Sequence, residues 1–165
     1  MKKALLVIAT IIVVVLIALD ITSIILFATQ KVENPIATIK FEGYADDVVI
    51  ELYPEYAENT VSNFVALTNN GFYNGLKIHR VEETLIQGGD KDGTGSGAPT
   101  LSAINKDIEE GSDDDKEYAI DGEFINNGYD NTVRFERGTI GMARADYSNY
   151  DSSLTDEGYN SAGSQ

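Results

Sequence analysis

Arg80 and Gln87 stand seven residues apart in the run I-H-R-V-E-E-T-L-I-Q-G-G-D (Ile78–Asp90), with a turn between them. An arginine stays protonated and carries a rigid fork of N–H donors. Outside a motif it is read as a surface cation paired with one of many carboxylates, and Gln87 as a turn-stabilising amide. His79 neighbours Arg80, and adjacent strand residues face opposite sides, so His79 reads as a packed or capping residue. Other chemistries fail on their residues. The chain has no Cys and one His, which removes thiolate nucleophiles, Cys-ligated metals and His-pair metal motifs. Gly88, Gly89, Gly93 and Gly95 lack the G-K-[ST] and the strand–loop–helix setting of a phosphate loop, so they read as turn glycines. The acidic run Glu109–Glu117 lacks the ligand spacing of a calcium loop and reads as a solvated insertion. No cofactor or metal is expected.

The charge is uneven along the chain. Twelve Lys+Arg stand against 27 Asp+Glu, for a net charge of −15, and nothing forms the basic stripe that nucleic acid requires. Ala4–Ala28 is almost wholly apolar, interrupted by Thr10, Asp20, Thr22 and Ser23. Its 25 residues exceed what a bilayer core of ~30 Å needs at ~1.5 Å per residue. Lys2 and Lys3 precede it, so the positive-inside bias holds the N-terminus in the cytoplasm and exports the rest. The run is longer than a cleaved signal's apolar region, which favours an uncleaved signal-anchor; secretion after cleavage is the alternative. Asp20 reads as a tolerated charge in the outer half of the span.

The expected organisation follows. Residues 1–31 form a cytoplasmic tip and a transmembrane helix, 32–35 a linker, and 36–165 one domain with an acidic insertion at about 100–117. Ile36–Phe41 and Val48–Leu52 read as an antiparallel hairpin. Val61, Phe64, Val65, Leu67 and Thr68 give the stripe of an amphipathic helix, ended at Asn69-Asn70-Gly71. Gly75–Val81, Leu85–Gln87, Tyr118–Phe124 and Gly138–Ala145 are strand candidates. Asp146–Gln165 has almost no apolar periodicity and is expected to be the most mobile stretch. The pattern is mainly β with one clear helix, which suggests a barrel or sandwich.

The order of these pieces resembles the cyclophilin-type peptidyl-prolyl isomerases. T-V-S-N-F-V-A-L (Thr60–Leu67) and G-F-Y-N-G (Gly71–Gly75) are similar to that family's first helix and following turn. Ile78–Asp90 resembles its signature, an H-R pair, a short apolar stretch and Q-G-G-D. G-T-G (Gly93–Gly95), D-G-E-F (Asp121–Phe124), R-G-T-I-G-M-A-R-A (Arg137–Ala145) and S-A-G-S-Q (Ser161–Gln165) follow in family order. There are two departures. The segment between Arg80 and Gln87 is one residue short, so Thr84 stands where the family has a pocket Phe. The chain also stops at Gln165, where the family continues with two Phe residues, more strands and a helix. The resemblance therefore implies a cyclophilin-like antiparallel β-barrel with a capping helix, incomplete at its C-terminus.

What the resemblance implies chemically is rotation of X–Pro bonds. The barrier of ~18–20 kcal/mol comes from amide resonance, and catalysis needs a site that binds the twisted amide best. In the twisted state the prolyl nitrogen gains a lone pair, to which a guanidinium can donate. By resemblance that donor is Arg80, with Gln87 bracing it through its amide oxygen. Thr84, Leu85, Gly93, Ala143, Arg144, Ala145 and Gln165 would line the substrate groove; Met142, beside them, reads as plain core. The implied partners are proline-containing exported polypeptides. Two alternatives stay open: a non-catalytic module that holds proline-containing segments, supported by Thr84, and an inactive truncated fragment.

Overall fold

The computed structural model describes residues 13, 15–22, 33–147 and 151–165. Residues up to Glu33 and residues from Asn34 onward form separate compact units. In the first, residues 13 and 15–22 are helical, with Val15, Leu16, Ile17, Leu19 and Ile21 exposed. The Thr22 hydroxyl bonds back to the Ala18 and Leu19 carbonyls at 2.9 and 2.8 Å, a bond Ser and Thr can make to the preceding turn of a helix. Most of the expected span at Ala4–Ala28 lies outside the described residues. Among the described residues no helix is long and apolar enough to cross a membrane.

The second unit opens with β1 (Ile36–Ile39) and β2 (Val48–Glu51), an antiparallel pair in the register Ile36↔Glu51 to Ile39↔Val48. The hairpin expected from the sequence forms, with shorter strands. β1 ends two residues before Phe41, because the chain turns at Phe41–Tyr44 with Gly43 at φ +84°. The helix α1 (Glu58–Asn69) buries Asn63 and Leu67. It ends where the sequence indicates. Gly71 takes φ +78°, its N–H bonds Thr68 O, and the Phe72 N–H reaches back to Leu67 O at 3.0 Å. That pair of bonds is a Schellman cap, which satisfies carbonyls the helix would otherwise leave open.

Ala57 precedes α1 and has no side chain to cap it. The Glu123 carboxylate supplies the cap from far along the chain, accepting the Asn59 and Thr60 N–H groups at 2.9 and 2.7 Å. A negative charge at a helix N-terminus is favoured by both the open N–H groups and the helix dipole. This is what the D-G-E-F segment does here. Asn63, one of the two buried positions of α1, donates to Gly163 O and accepts from Tyr118 Oη, fastening the helix to two later segments. Burial pushes the Tyr118 hydroxyl up to about 12.

β3 (Arg80–Val81) and β4 (Ile86–Gln87) form a second antiparallel pair, shorter than the sequence suggests. Tyr118–Phe124 and Gly138–Ala145 form no strand. Alternate N–H groups of the first run go to three different partners: Tyr118 to Pro99 O, Ile120 to Ala162 O and Gly122 to Asn160 Oδ1. In the second, Ala143 donates to Gln165 O and Ala145 to Ser161 Oγ. Backbone groups shared out in this way cannot build a ladder with one neighbour. Among the described residues the sheets are two two-stranded ribbons, and no barrel closes. A barrel needs a partner on both sides of every strand.

The C-terminal stretch forms local structure although the sequence shows almost no apolar periodicity there. A 3-10 turn leads into the short helix α2 (Thr155–Tyr159), and Ala162 and Ser164 are buried. Individual hydrogen bonds, rather than periodic apolar burial, hold this stretch to the rest of the unit. The Ser161 hydroxyl bonds Gly158 O at 2.7 Å, and the Ser164 hydroxyl bonds Gly89 O at 2.6 Å. The acidic insertion is likewise structured. An antiparallel bridge between Thr100 and Glu117 closes its base. Inside, Asp115 accepts the Ser102 and Gly111 N–H groups, which bring its carboxyl down to about 2.

Candidate functional site

The β3–β4 register sets Arg80 directly opposite Gln87. Side chains of opposed residues stand on one face of a ribbon, within reach of each other. The Arg80 Nη1–H donates to Gln87 Oε1 at 3.1 Å. The other side of the Gln87 amide donates from Nε2 to Gln165 Oε1 at 2.9 Å, and Gln165 Nε2 donates to Gly97 O at 2.7 Å. Each amide thus accepts on one side and donates on the other. The resemblance puts Gln165 in the substrate groove. The structure seats it as a link, held also by its own carbonyl on the Ala143 N–H at 2.8 Å.

A residue missed by sequence reasoning completes this row. Glu82 Oε1 takes the Arg80 Nε–H at 2.8 Å and lies 2.7 Å from Nη2. The signal was available: Glu82 is two residues from Arg80, and strand periodicity puts such residues on one face. The general expectation of a surface carboxylate partner named no residue.

Asp90 holds the loop that carries Gly97. Its side chain is buried, and its oxygens accept N–H groups of Asp92 (2.8 Å), Thr94 (2.8 Å) and Gly95 (2.6 Å). Burial by itself opposes ionisation here. The backbone N–H groups of Asp92, Gly95, Gly97 and Thr94 outweigh it and hold the carboxyl well below the ordinary carboxylate range. The glycines make the loop's path possible. Gly89, Gly93 and Gly95 have φ of +87°, +66° and +88°, and a Cβ on Gly97 would overlap Asp90 Oδ1. A Cβ on Gly89 would overlap Ser164 O, so the C-terminal strap lies directly on this backbone.

The remaining sequence candidates are dispersed. Thr84 and Leu85 sit at the exposed turn of the β3–β4 ribbon, where the Glu82 N–H bonds Leu85 O at 2.8 Å. Gly93 belongs to the Asp90 loop, with its N–H on Asp90 O at 3.2 Å. Ala143 reaches the row through Gln165. Ala145 binds Ser161 instead, and the Arg144 guanidinium lies 5.7 Å over the Phe124 ring and 5.0 Å over the Tyr159 ring. His79 has no capping bond: both ring nitrogens are shut from solvent without a hydrogen-bond partner, and the ring lies against Gly95. One cavity, of about 300 Å³, is lined by Tyr53, Tyr56, Thr132 and Val133; another, of about 150 Å³, by Arg144, Asp146, Tyr147, Thr155 and Tyr159. Neither is lined by Arg80. Among the described residues no group of three or more His, Asp or Glu is placed to hold a metal ion.

The arrangement can donate a hydrogen bond from a fixed, charged group. The Arg80 guanidinium donates Nε–H to Glu82 and one Nη1–H to Gln87, with Nη2 2.7 Å from Glu82 Oε1, and of its five N–H bonds others remain on the Nη groups to donate. It offers no nucleophile and no proton-transfer pair.

Comparison with known proteins adds the following. The family model described as cyclophilin type peptidyl-prolyl cis-trans isomerase/CLD matches residues 36–156. "Peptidyl-prolyl cis-trans isomerase B" of Bacillus subtilis is 53% identical over 53 residues, 32% of this chain and 37% of that protein. "Peptidyl-prolyl cis-trans isomerase ppi1" of Schizosaccharomyces pombe is 38% identical over 78 residues, 47% of this chain and 50% of that protein. "Peptidyl-prolyl cis-trans isomerase-like 2" of Gibberella zeae is 36% identical over 105 residues, 63% of this chain and 15% of that protein. The matched part spans half or less of each of these relatives. No solved structure matches the chain.

Proposed function

The chain belongs to the cyclophilin-type peptidyl-prolyl cis-trans isomerase family, and from that premise we propose that it catalyses rotation about X–Pro bonds, with Arg80 as the donor to the prolyl nitrogen. The observation that carries this reading is the guanidinium fixed on Gln87 with N–H bonds left to donate. Rotation needs no covalent intermediate. It needs a donor that engages the nitrogen only when the amide is twisted, so that binding favours the transition state over both planar forms. The direct experiment follows cis-to-trans relaxation of an Ala–Pro peptide with the full chain present. Relaxation well ahead of the uncatalysed ~10–100 s is expected; an unchanged rate would overturn the reading.

One observation favours a second reading, a module that holds proline-containing segments without turnover. Thr84 and Leu85 lie at an exposed turn, so no aromatic floor for a proline ring comes from that segment. Peptide binding without acceleration would establish it.

The setting we propose is a membrane anchor at Ala4–Ala28, with residues 32–165 outside the cytoplasm and exported polypeptides as clients. Support comes from Lys2 and Lys3 ahead of the apolar run, from the net charge of 9 − 26 = −17 over residues 32–165, and from the exposed apolar helix with its self-bonded Thr22. Protease added outside intact cells is expected to degrade residues 32–165 while the chain stays membrane-bound. Protection until lysis would reverse the topology, and a mature N-terminus near residue 29 would show a cleaved signal instead.

A further inference from the structure

We propose that Glu82 is a positioning residue for Arg80, an inference that rests on the reading of Arg80 as the isomerisation donor. Arg80 and Glu82 are each about half exposed, at 50% and 49% of the side chain. A long side chain that open would sweep several rotamers and spend little time aimed at one point. An isolated exposed ion pair does little for stability. Its value here is directional. Glu82 Oε1 takes Nε–H and stands 2.7 Å from Nη2, on one edge of the guanidinium plane, while Gln87 Oε1 takes Nη1. Contacts through all three nitrogens fix both the position and the tilt of a planar group.

The Glu82 backbone is itself anchored. Its N–H bonds Leu85 O at 2.8 Å, closing the turn directly after β3. The carboxylate therefore reaches back from a fixed point to the residue two positions earlier. Gln87 is anchored through Gln165 to Gly97. Arg80 is thus held between Glu82 at the turn after β3 and Gln87 on β4. Further N–H bonds remain on the two Nη groups. A donor fixed in this way meets a prolyl nitrogen without first losing its own rotational freedom, and that saving appears in the rate of the bound complex.

The test compares Glu82→Ala and Glu82→Gln with Glu83→Ala, a neighbouring carboxylate removed as a control. Two quantities are read on the full chain. One is the solvent exchange of the Arg80 Nε–H, followed by its nitrogen-15 NMR resonance. The other is the split of kcat and KM for an Ala–Pro peptide. In Glu82→Ala the Nε–H is expected to exchange faster and kcat to fall about five- to tenfold with KM little changed. Glu82→Gln, which keeps an oxygen acceptor, should recover part of both, and Glu83→Ala should match wild type in both. The inference is overturned if Nε–H exchange in Glu82→Ala stays as slow as in wild type. It is also overturned if exchange accelerates and kcat does not fall, or if Glu83→Ala has the same effect. A wild-type chain that accelerates no peptide would overturn the isomerase reading itself, and with it a role for Glu82 in turnover; the unaccelerated wild-type control distinguishes that failure from the others.

Discussion

Replacing Arg80 with Ala is expected to slow isomerisation of an Ala–Pro peptide by ~100–1000-fold in the full chain. Removing a donor aimed at charge that develops in the transition state typically costs ~2.7–4 kcal/mol. The loss should fall on kcat more than on KM, because the planar substrate has little lone pair on nitrogen to accept the bond. Arg80→Lys should recover little. An ammonium keeps the charge but cannot bond Glu82 along one edge and Gln87 from the third nitrogen. Neither change should cost much stability, since the side chain is half exposed and its ion pair lies at the surface. The measurement is peptide relaxation with thermal unfolding on the same samples. A folded Arg80→Ala chain with near-wild-type turnover would remove Arg80 from the mechanism.

The second large effect belongs to Asp90. Asp90→Ala leaves the N–H groups of Asp92, Thr94, Gly95 and Gly97 around an empty space, and is expected to destabilise the fold by ~3 kcal/mol. The urea midpoint should drop accordingly, without a large change in slope. Turnover should suffer as well, because the loop carries the Gly97 carbonyl that holds Gln165, which in turn holds Gln87. The pH dependence has a definite sign. The native carboxyl is held below its ordinary value, so as pH falls past ~4 the unfolded chain takes up a proton before the folded one does. The Asp90 contribution is therefore fully present above ~4 and is lost as pH falls from there through the lower native value. The stability gap between wild type and Asp90→Asn should narrow over that acid range and stay constant near neutrality. A gap that widened with acid would show that Asp90 is not held as a carboxylate.

How legible this protein was depended on whether a feature is local. The end of α1 could be read directly, because a helix stripe followed by Asn-Gly has few outcomes when only glycine tolerates φ +78° at low cost. The β1–β2 hairpin and the turn glycines of the Asp90 loop were legible for the same reason. Family resemblance pointed to Arg80 and Gln87. The antiparallel register of two-residue strands then placed them opposite each other.

Tertiary structure decided everything that joins distant segments. Strand propensity in Tyr118–Phe124 and Gly138–Ala145 came to nothing, because their N–H groups found partners on several other segments instead of one neighbouring strand. α1 takes its N-terminal cap from Glu123, 64 residues beyond Asn59, and no local pattern encodes that. The unpatterned Ser161–Gln165 lies against Gly89 and Gly97 through individual hydrogen bonds, and these leave no periodicity in the sequence. Periodicity reports burial on one face of one element, so the sequence by itself determined the turns and the helix, and its family resemblance singled out Arg80. Glu82, two residues from Arg80, lay within reach of strand periodicity; which amides brace that guanidinium came from strand register and long-range hydrogen bonds, whose partners are set only when the chain is folded.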